Sequence, residues 1–188
     1  MPCLLIIHGV IGAGKTTTAT ALADRARTRG IHVRGVLSRR VFEAGRLIGY
    51  DLQDADSGRL LPLVRLGGAS AGEGWDTLGN PLYVFSLVGF REANRLLSEA
   101  AEKLDSSTLI ILDEYGGVES RGLGLRRGAE AILASLHGGG AAVFLCRTER
   151  VDEVVALASG RVGRVLCLEA GDPEAAWGIV AGCLGLKP

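Results

Sequence analysis

The sequence predicts an α/β protein: a three-layer α/β/α sandwich around a mostly parallel sheet, with an inserted antiparallel hairpin. Three observations carry this. Continuous aliphatic runs alternate with segments of helical periodicity. The first such run ends in a glycine-rich turn that opens a helix. Two extended runs flanking an Asp/Ser/Gly turn interrupt the alternation near residue 55. A chain of 188 residues, 47% hydrophobic and 22% charged, suits one domain, 1–188, with a sizeable core.

The first element is the run Leu4-Leu5-Ile6-Ile7, followed by Gly9-Val10-Ile11-Gly12-Ala13-Gly14-Lys15-Thr16-Thr17. The spacing Gly9-x-x-x-x-Gly14-Lys15-Thr16 is that of a phosphate-binding loop. Glycines let the backbone of Gly9 to Thr17 wrap an anion with its N–H groups pointing inward, and the following helix adds the positive end of its dipole. Lys15 then reaches the outer phosphates of a nucleoside triphosphate, and the Thr16 hydroxyl binds a Mg²⁺ bridging its oxygens. A dinucleotide fold is excluded because Lys15-Thr16-Thr17 follows Gly12-Ala13-Gly14 where x-x-Gly would be needed.

Thr16 to Arg29 places Ala19, Leu22, Ala23 and Ala26 on one helical face, and Gly30 stops it. Ile31 to Val41 returns as a parallel strand and completes a βαβ unit. Leu47 to Gln53 and Arg59 to Val64 form the hairpin, and Gly67 to Gly74 a surface loop. Trp75 is either a stacking surface for a base or, preferably, a hydrophobic anchor for that loop. Pro81 to Leu87 predicts a short strand and Gly89 to Leu104 a helix. Thr108 to Glu114 is a buried strand ending in two acids. A helix over Leu125 to Leu136, a strand over Ala141 to Cys146, a helix over Val151 to Ala158, a strand over Val162 to Leu168 and a helix over Pro173 to Leu184 complete the chain.

Asp113 stands at the carboxyl end of its strand, where open α/β sheets place ligands, and is the expected second holder of the Mg²⁺. Glu114 follows it and is the expected base or orienter of an attacking water. Glu119 either reaches this region, as support for the site or as a substrate contact, or is a solvated loop glutamate. Arg121, Arg126, Arg127 and Arg147 are candidates to neutralise transition-state charge. His8, His32 and His137 have no partner spacing and read as structural.

The 21 basic and 21 acidic residues cancel, so the charge balance gives no support to a nucleic-acid or membrane partner. No apolar run reaches transmembrane length, and no leader precedes the first strand, so the cytoplasm is the expected location. Cys3, Cys146, Cys167 and Cys183 lack metal or redox spacing and are expected to be buried free thiols of a reducing compartment.

With both halves of the site in view, the sequence resembles the THEP-type nucleoside-triphosphatases. The likeness runs through the Gly-Lys-Thr-Thr loop, Gly35-Val36-Leu37-Ser38, Gly45-Arg46-Leu47-Ile48-Gly49-Tyr50, Tyr83, and Asp113-Glu114-Tyr115-Gly116 with Glu119. It implies a RecA-like P-loop core, Mg²⁺-dependent hydrolysis of ATP, GTP and other nucleoside triphosphates, and modest base selectivity. Lys15, Thr16, Asp113 and Glu114 carry over. The chain departs from the pattern at Arg39-Arg40-Val41-Phe42 and at Ser120-Arg121-Gly122. Two other functions fit the same loop: a nucleotide or small-molecule kinase passing the γ-phosphate to an acceptor, and a nucleotide-gated binding switch.

Overall fold

A computed structural model describes residues 2–67 and 72–187. The strand β1 (Cys3–His8) is followed by helix α1 (Lys15–Thr28), then β2 (His32–Glu43), β3 (Arg46–Asp54), β4 (Leu60–Leu66), β5 (Trp75–Asp76) and β6 (Tyr83–Ser86). Helix α2 (Leu87–Glu102), β7 (Thr108–Tyr115), α3 (Arg126–Ser135), β8 (Ala141–Cys146), α4 (Val151–Ala158), β9 (Val165–Glu169) and α5 (Pro173–Cys183) complete the order. The described strands form one sheet in the order β5-β6-β4-β3-β2-β7-β8-β1-β9.

The half from β2 to β9 is parallel throughout, β1 lying between β8 and β9. Its inner strands β1, β7 and β8 are aliphatic without alternation because both faces are covered, whereas the edge strand β9 is only partly buried. On one side Leu5, Ile7, Leu109, Ile111, Val143 and Leu145 pack against α1 and α5, including the buried Trp177. On the other, Leu4, Ile6, Ile110, Leu112 and Phe144 pack against α2, α3 and α4. Ser86 caps α2 by accepting from the Gly89 N–H at 2.9 Å, and Asp172 caps α5, with Pro173 in its first turn.

The inserted part is larger than a hairpin. β2 continues past the sheet's parallel region to pair antiparallel with β3, which pairs with β4, β4 with β6, and β6 with β5. The Ala44–Gly45 turn that makes the first of these hairpins carries no strong turn signature apart from its glycine. Part of the Gly67 to Gly74 loop, residues 68–71, lies outside the described residues. Trp75 sits in β5 with the Arg65 guanidinium 5.6 Å from its ring, which fits the anchoring role.

The cysteine expectation is corrected. Cys3 and Cys183 form a disulfide, with Cα atoms 5.9 Å apart. Nothing in the spacing of residues 180 apart signals this; the packing of α5 on β1 brings the two chain ends together. Cys146 is buried and free as expected, whereas Cys167 is exposed.

Candidate active site

The site forms at the carboxyl ends of β1, β7, β8 and β2, where β1 must cross over two strands to reach β2. The loop after β1 turns through Gly12 and Gly14, whose φ angles of 84° and 86° a side chain would resist. Gly14 is the N-cap of α1 and supplies no side-chain cap. The first amides of the helix are therefore left for an anion. Val10 and Ile11 carry exposed side chains. Lys15 arches back over the loop, donating from Nζ to the Gly9 and Val10 carbonyls at 2.9 Å each.

The Thr16 hydroxyl donates to Asp113 Oδ2 at 2.8 Å, joining residues 97 apart in sequence. The same oxygen accepts the Ser38 N–H of β2 at 2.9 Å. Asp113 is 1% exposed. Burial, and then the charge of Glu114, pushes its carboxyl up to about 7, while the Ser38 N–H, the Thr16 hydroxyl and Lys15 pull it down. A buried carboxylate beside a hydroxyl is a hard-oxygen donor pair, and Mg²⁺ takes such a pair together with phosphate oxygens. The donor set fits that ion. No cluster of three or more His, Cys, Asp or Glu side chains forms a separate metal site among the described residues.

Adjacent residues of a regular strand point to opposite faces, which would turn Glu114 away from Asp113. The register between β7 and β8 slips between Leu112 and Tyr115, so one extra residue is accommodated, and Glu114 takes a φ of 80°. The bulge re-aims the side chain into the cavity. Left-handed backbone in a non-glycine residue costs about 1–2 kcal/mol. Glu114 touches solvent on the cavity side and is crowded by protein elsewhere; that crowding raises its carboxyl, with Lys15 and Arg147 opposing.

Glu119 is not a solvated loop acid. It is 4% exposed and accepts the N–H groups of Gly116 and Leu125 at 2.9 Å each. It braces the loop that leaves β7 just beyond Glu114. Burial raises its carboxyl and those two N–H groups lower it. Tyr115, also buried, donates its hydroxyl to Glu153 at 3.1 Å and accepts from Arg126 at 3.0 Å, tying the same loop to α4 and α3.

Of the candidate arginines, Arg121 and Arg147 line the cavity together with Arg39, Arg40 and Arg150. Arg126 is drawn off by Glu130 at 2.8 Å and by Tyr115, and Arg127 is exposed on α3. His8 bonds Thr148 across the fold, joining the end of β1 to the residues just after β8, and His137 bonds the Ala134 carbonyl within its own turn. The role of the Ser38 N–H was not readable from the sequence, because a backbone donor has no residue signature.

The model of the NTPase family matches residues 4–163. A curated relative, the nucleoside-triphosphatase THEP1 of Pyrobaculum aerophilum, is 36% identical over 131 residues, covering 70% of this chain and 66% of the relative. The THEP1 protein of Pyrococcus abyssi is 30% identical over 139 residues, covering 70% and 72%. The match thus spans about two thirds of these relatives' length. Among solved structures, THEP1 from Aquifex aeolicus superposes with a TM-score of 0.69 at 18% identity over 95% of this chain and 98% of the other. A human cancer-related nucleoside triphosphatase gives 0.63 at 22% over 98% and 95%. Those two likenesses carry the fold, and the extent of the family match carries membership: the chain belongs to the NTPase family.

Proposed function

We propose that the protein hydrolyses nucleoside triphosphates, ATP and GTP among them, to the diphosphate and inorganic phosphate with Mg²⁺. One observation carries this reading above others: the bulge in β7 presents Glu114 to the cavity beside the Thr16–Asp113 pair. The loop amides from Gly9 to Thr17 hold the α- and β-phosphates, and the Lys15 ammonium moves from the loop carbonyls to the outer phosphates. Thr16 and Asp113 would hold Mg²⁺, and the ion would supply neutralisation of the negative charge that develops during transfer. Glu114 accepts a hydrogen bond from the attacking water and takes its proton as the bond to phosphorus forms.

The fixed donors lose no reorganisation energy during reaction, which is the main source of rate acceleration in such sites. The test is phosphate release from ATP, GTP, CTP and UTP with Mg²⁺, in parallel with an excess of EDTA. Release from several of the four that stops with EDTA is expected. A folded protein that binds nucleotide but releases no phosphate would overturn the reading.

A further inference from the structure

The phosphate-binding residues occupy one end of the cavity. Its volume, about 890 Å³, lies near the top of the range for one small-molecule site. Lys15, Thr16 and Asp113 fix the outer-phosphate end at the carboxyl edge of β7. The nucleoside of a triphosphate held by the loop amides therefore leaves in the other direction, past Thr17. What remains of the cavity extends over one face of the antiparallel strands.

Strand register builds that face. Arg40 pairs with Tyr50, Tyr50 with Val64, and Val64 with Phe85, a single row across β2, β3, β4 and β6. Directly paired residues project on the same side, and all four line the cavity. Tyr83, two residues before Phe85, shares the face, with ring centroids 6.3 Å apart; Phe90 of α2 stacks on Phe85 at 5.8 Å. Tyr50 and Tyr83 are only partly buried, so their rings are open to a ligand. Ser38, whose N–H donates to Asp113 Oδ2, precedes Arg40 by two residues, so the row begins roughly 7 Å along β2 from the strand position that engages Asp113.

The charges are equally specific. Arg39 is engaged by Gln53 at 2.7 Å. Arg40 is exposed and makes no hydrogen bond or ion pair among the described residues. Aromatic rings beside an unengaged guanidinium match a planar base carrying a phosphate, since base stacking tolerates any base and arginine grips phosphate through two N–H bonds.

Accepting the loop as the triphosphate site, we propose that this chamber binds a nucleoside monophosphate and that the protein has a phosphoryl-transfer activity toward it. An oxygen of the acceptor phosphate forms a bond to the γ-phosphorus while the bond from that phosphorus to the β–γ bridging oxygen breaks. The electron pair leaves on the diphosphate, and two nucleoside diphosphates result with no net proton change. Water takes the acceptor's place when the chamber holds none, which is the hydrolysis proposed above.

The experiment supplies ATP and Mg²⁺ with GMP, CMP or UMP, separates the nucleotides chromatographically, and measures phosphate release in the same reactions. GDP, CDP or UDP is expected to form at the expense of free phosphate. Arg40→Ala and Tyr50→Ala are each expected to reduce that transfer by about tenfold or more, the loss of one charged or stacking contact, while acceptor-free hydrolysis of ATP stays within about twofold. Transfer without any acceptor-free hydrolysis would support the chamber while overturning the hydrolase reading. No diphosphate from any of the three acceptors, with hydrolysis intact, would overturn the chamber alone. So would a several-fold rise in KM for ATP in both variants, since that places the substrate's own nucleoside on the aromatic face.

Discussion

The two halves of the sheet differ in almost every physical respect. The parallel half is covered on both faces, and its strand side chains from Leu4 to Ile7 and from Ala141 to Leu145 are fully buried. The antiparallel half, from β3 to β5, mixes buried and partly open positions. The acids, hydroxyl and lysine of the proposed phosphate site all stand on the first half, on strand ends and a helix start. The rings of Tyr50, Tyr83 and Phe85 stand on the second, beside Arg40 on the stretch of β2 that pairs with β3. A double-covered sheet holds groups to the precision that phosphoryl chemistry needs, whereas a sheet with one open face can vary its side chains and so determine which molecule is admitted.

The largest expected effects separate the halves by stability. Phe144 lies at the centre of β8 with no exposure, and Phe85 on β6 keeps 8%. Phe144→Ala is expected to cost about 4–5 kcal/mol and Phe85→Ala about 3 kcal/mol. At about 2–4 °C per kcal/mol for a chain of this size, thermal melts resolve the two. If the costs were equal, the packing contrast would be wrong. Below 20 °C, where both remain folded, Phe85→Ala keeps the hydrolysis rate within a few-fold and Phe144→Ala does not.

Removing charge from the phosphate end comes next. Lys15→Ala is expected to lower kcat/KM for ATP by about 10²–10³-fold, the usual cost of one donor that faces developing charge. Cys183→Ser tests whether the bridge to Cys3 steadies β1, which runs into the loop; a loss of about 2–4 kcal/mol of stability with hydrolysis retained is expected. Glu119→Ala leaves the Gly116 and Leu125 N–H groups without their acceptor and is expected to cost about 1–3 kcal/mol. Glu119→Ala should also slow hydrolysis, because the braced loop begins two residues after Glu114; melting and rate together distinguish this from a purely local loss.

The smallest effect belongs to the outer surface of α2. Glu92 hydrogen-bonds Arg95 first and Arg59 second, and these hold its carboxyl down at about 2. A carboxyl lowered in the folded state contributes stability that is present above its ordinary value near 4.5 and is lost as pH falls from there toward 2. Both arginines are half exposed, so the contribution stays below about 1 kcal/mol. Glu92→Gln is expected to flatten the acid limb of the stability curve over that interval and to lower stability at neutral pH by no more than that same small amount.

The same contrast explains what could be read from the sequence. β8 and α4 have the bounds their periodicity predicts, because aliphatic runs between glycines and a helical repeat admit few alternatives. Lys15, Thr16, Asp113 and Glu114 announce themselves through residue type and spacing. The bulge that turns Glu114 inward does not, since strand periodicity alone would have sent it to the opposite face. Glu119 could be read either as support for the site or as a solvated acid, because its partners are backbone amides that carry no residue signature. The strand row from Arg40 to Phe85 depends on register between segments up to 45 residues apart, and the Cys3–Cys183 bridge on closure of the whole chain. Local chemistry was legible; long-range register was not.

The central claim is that the chain's own Glu114 acts on water beside the Thr16–Asp113 pair. Its most direct test is Glu114→Gln, read as single-turnover phosphate release from Mg–ATP together with the Kd for ATP. The account predicts release slowed by about 10²–10⁴-fold, the range for loss of a general base, with Kd nearly unchanged. Release at the wild-type rate, with nucleotide bound as tightly, would contradict it.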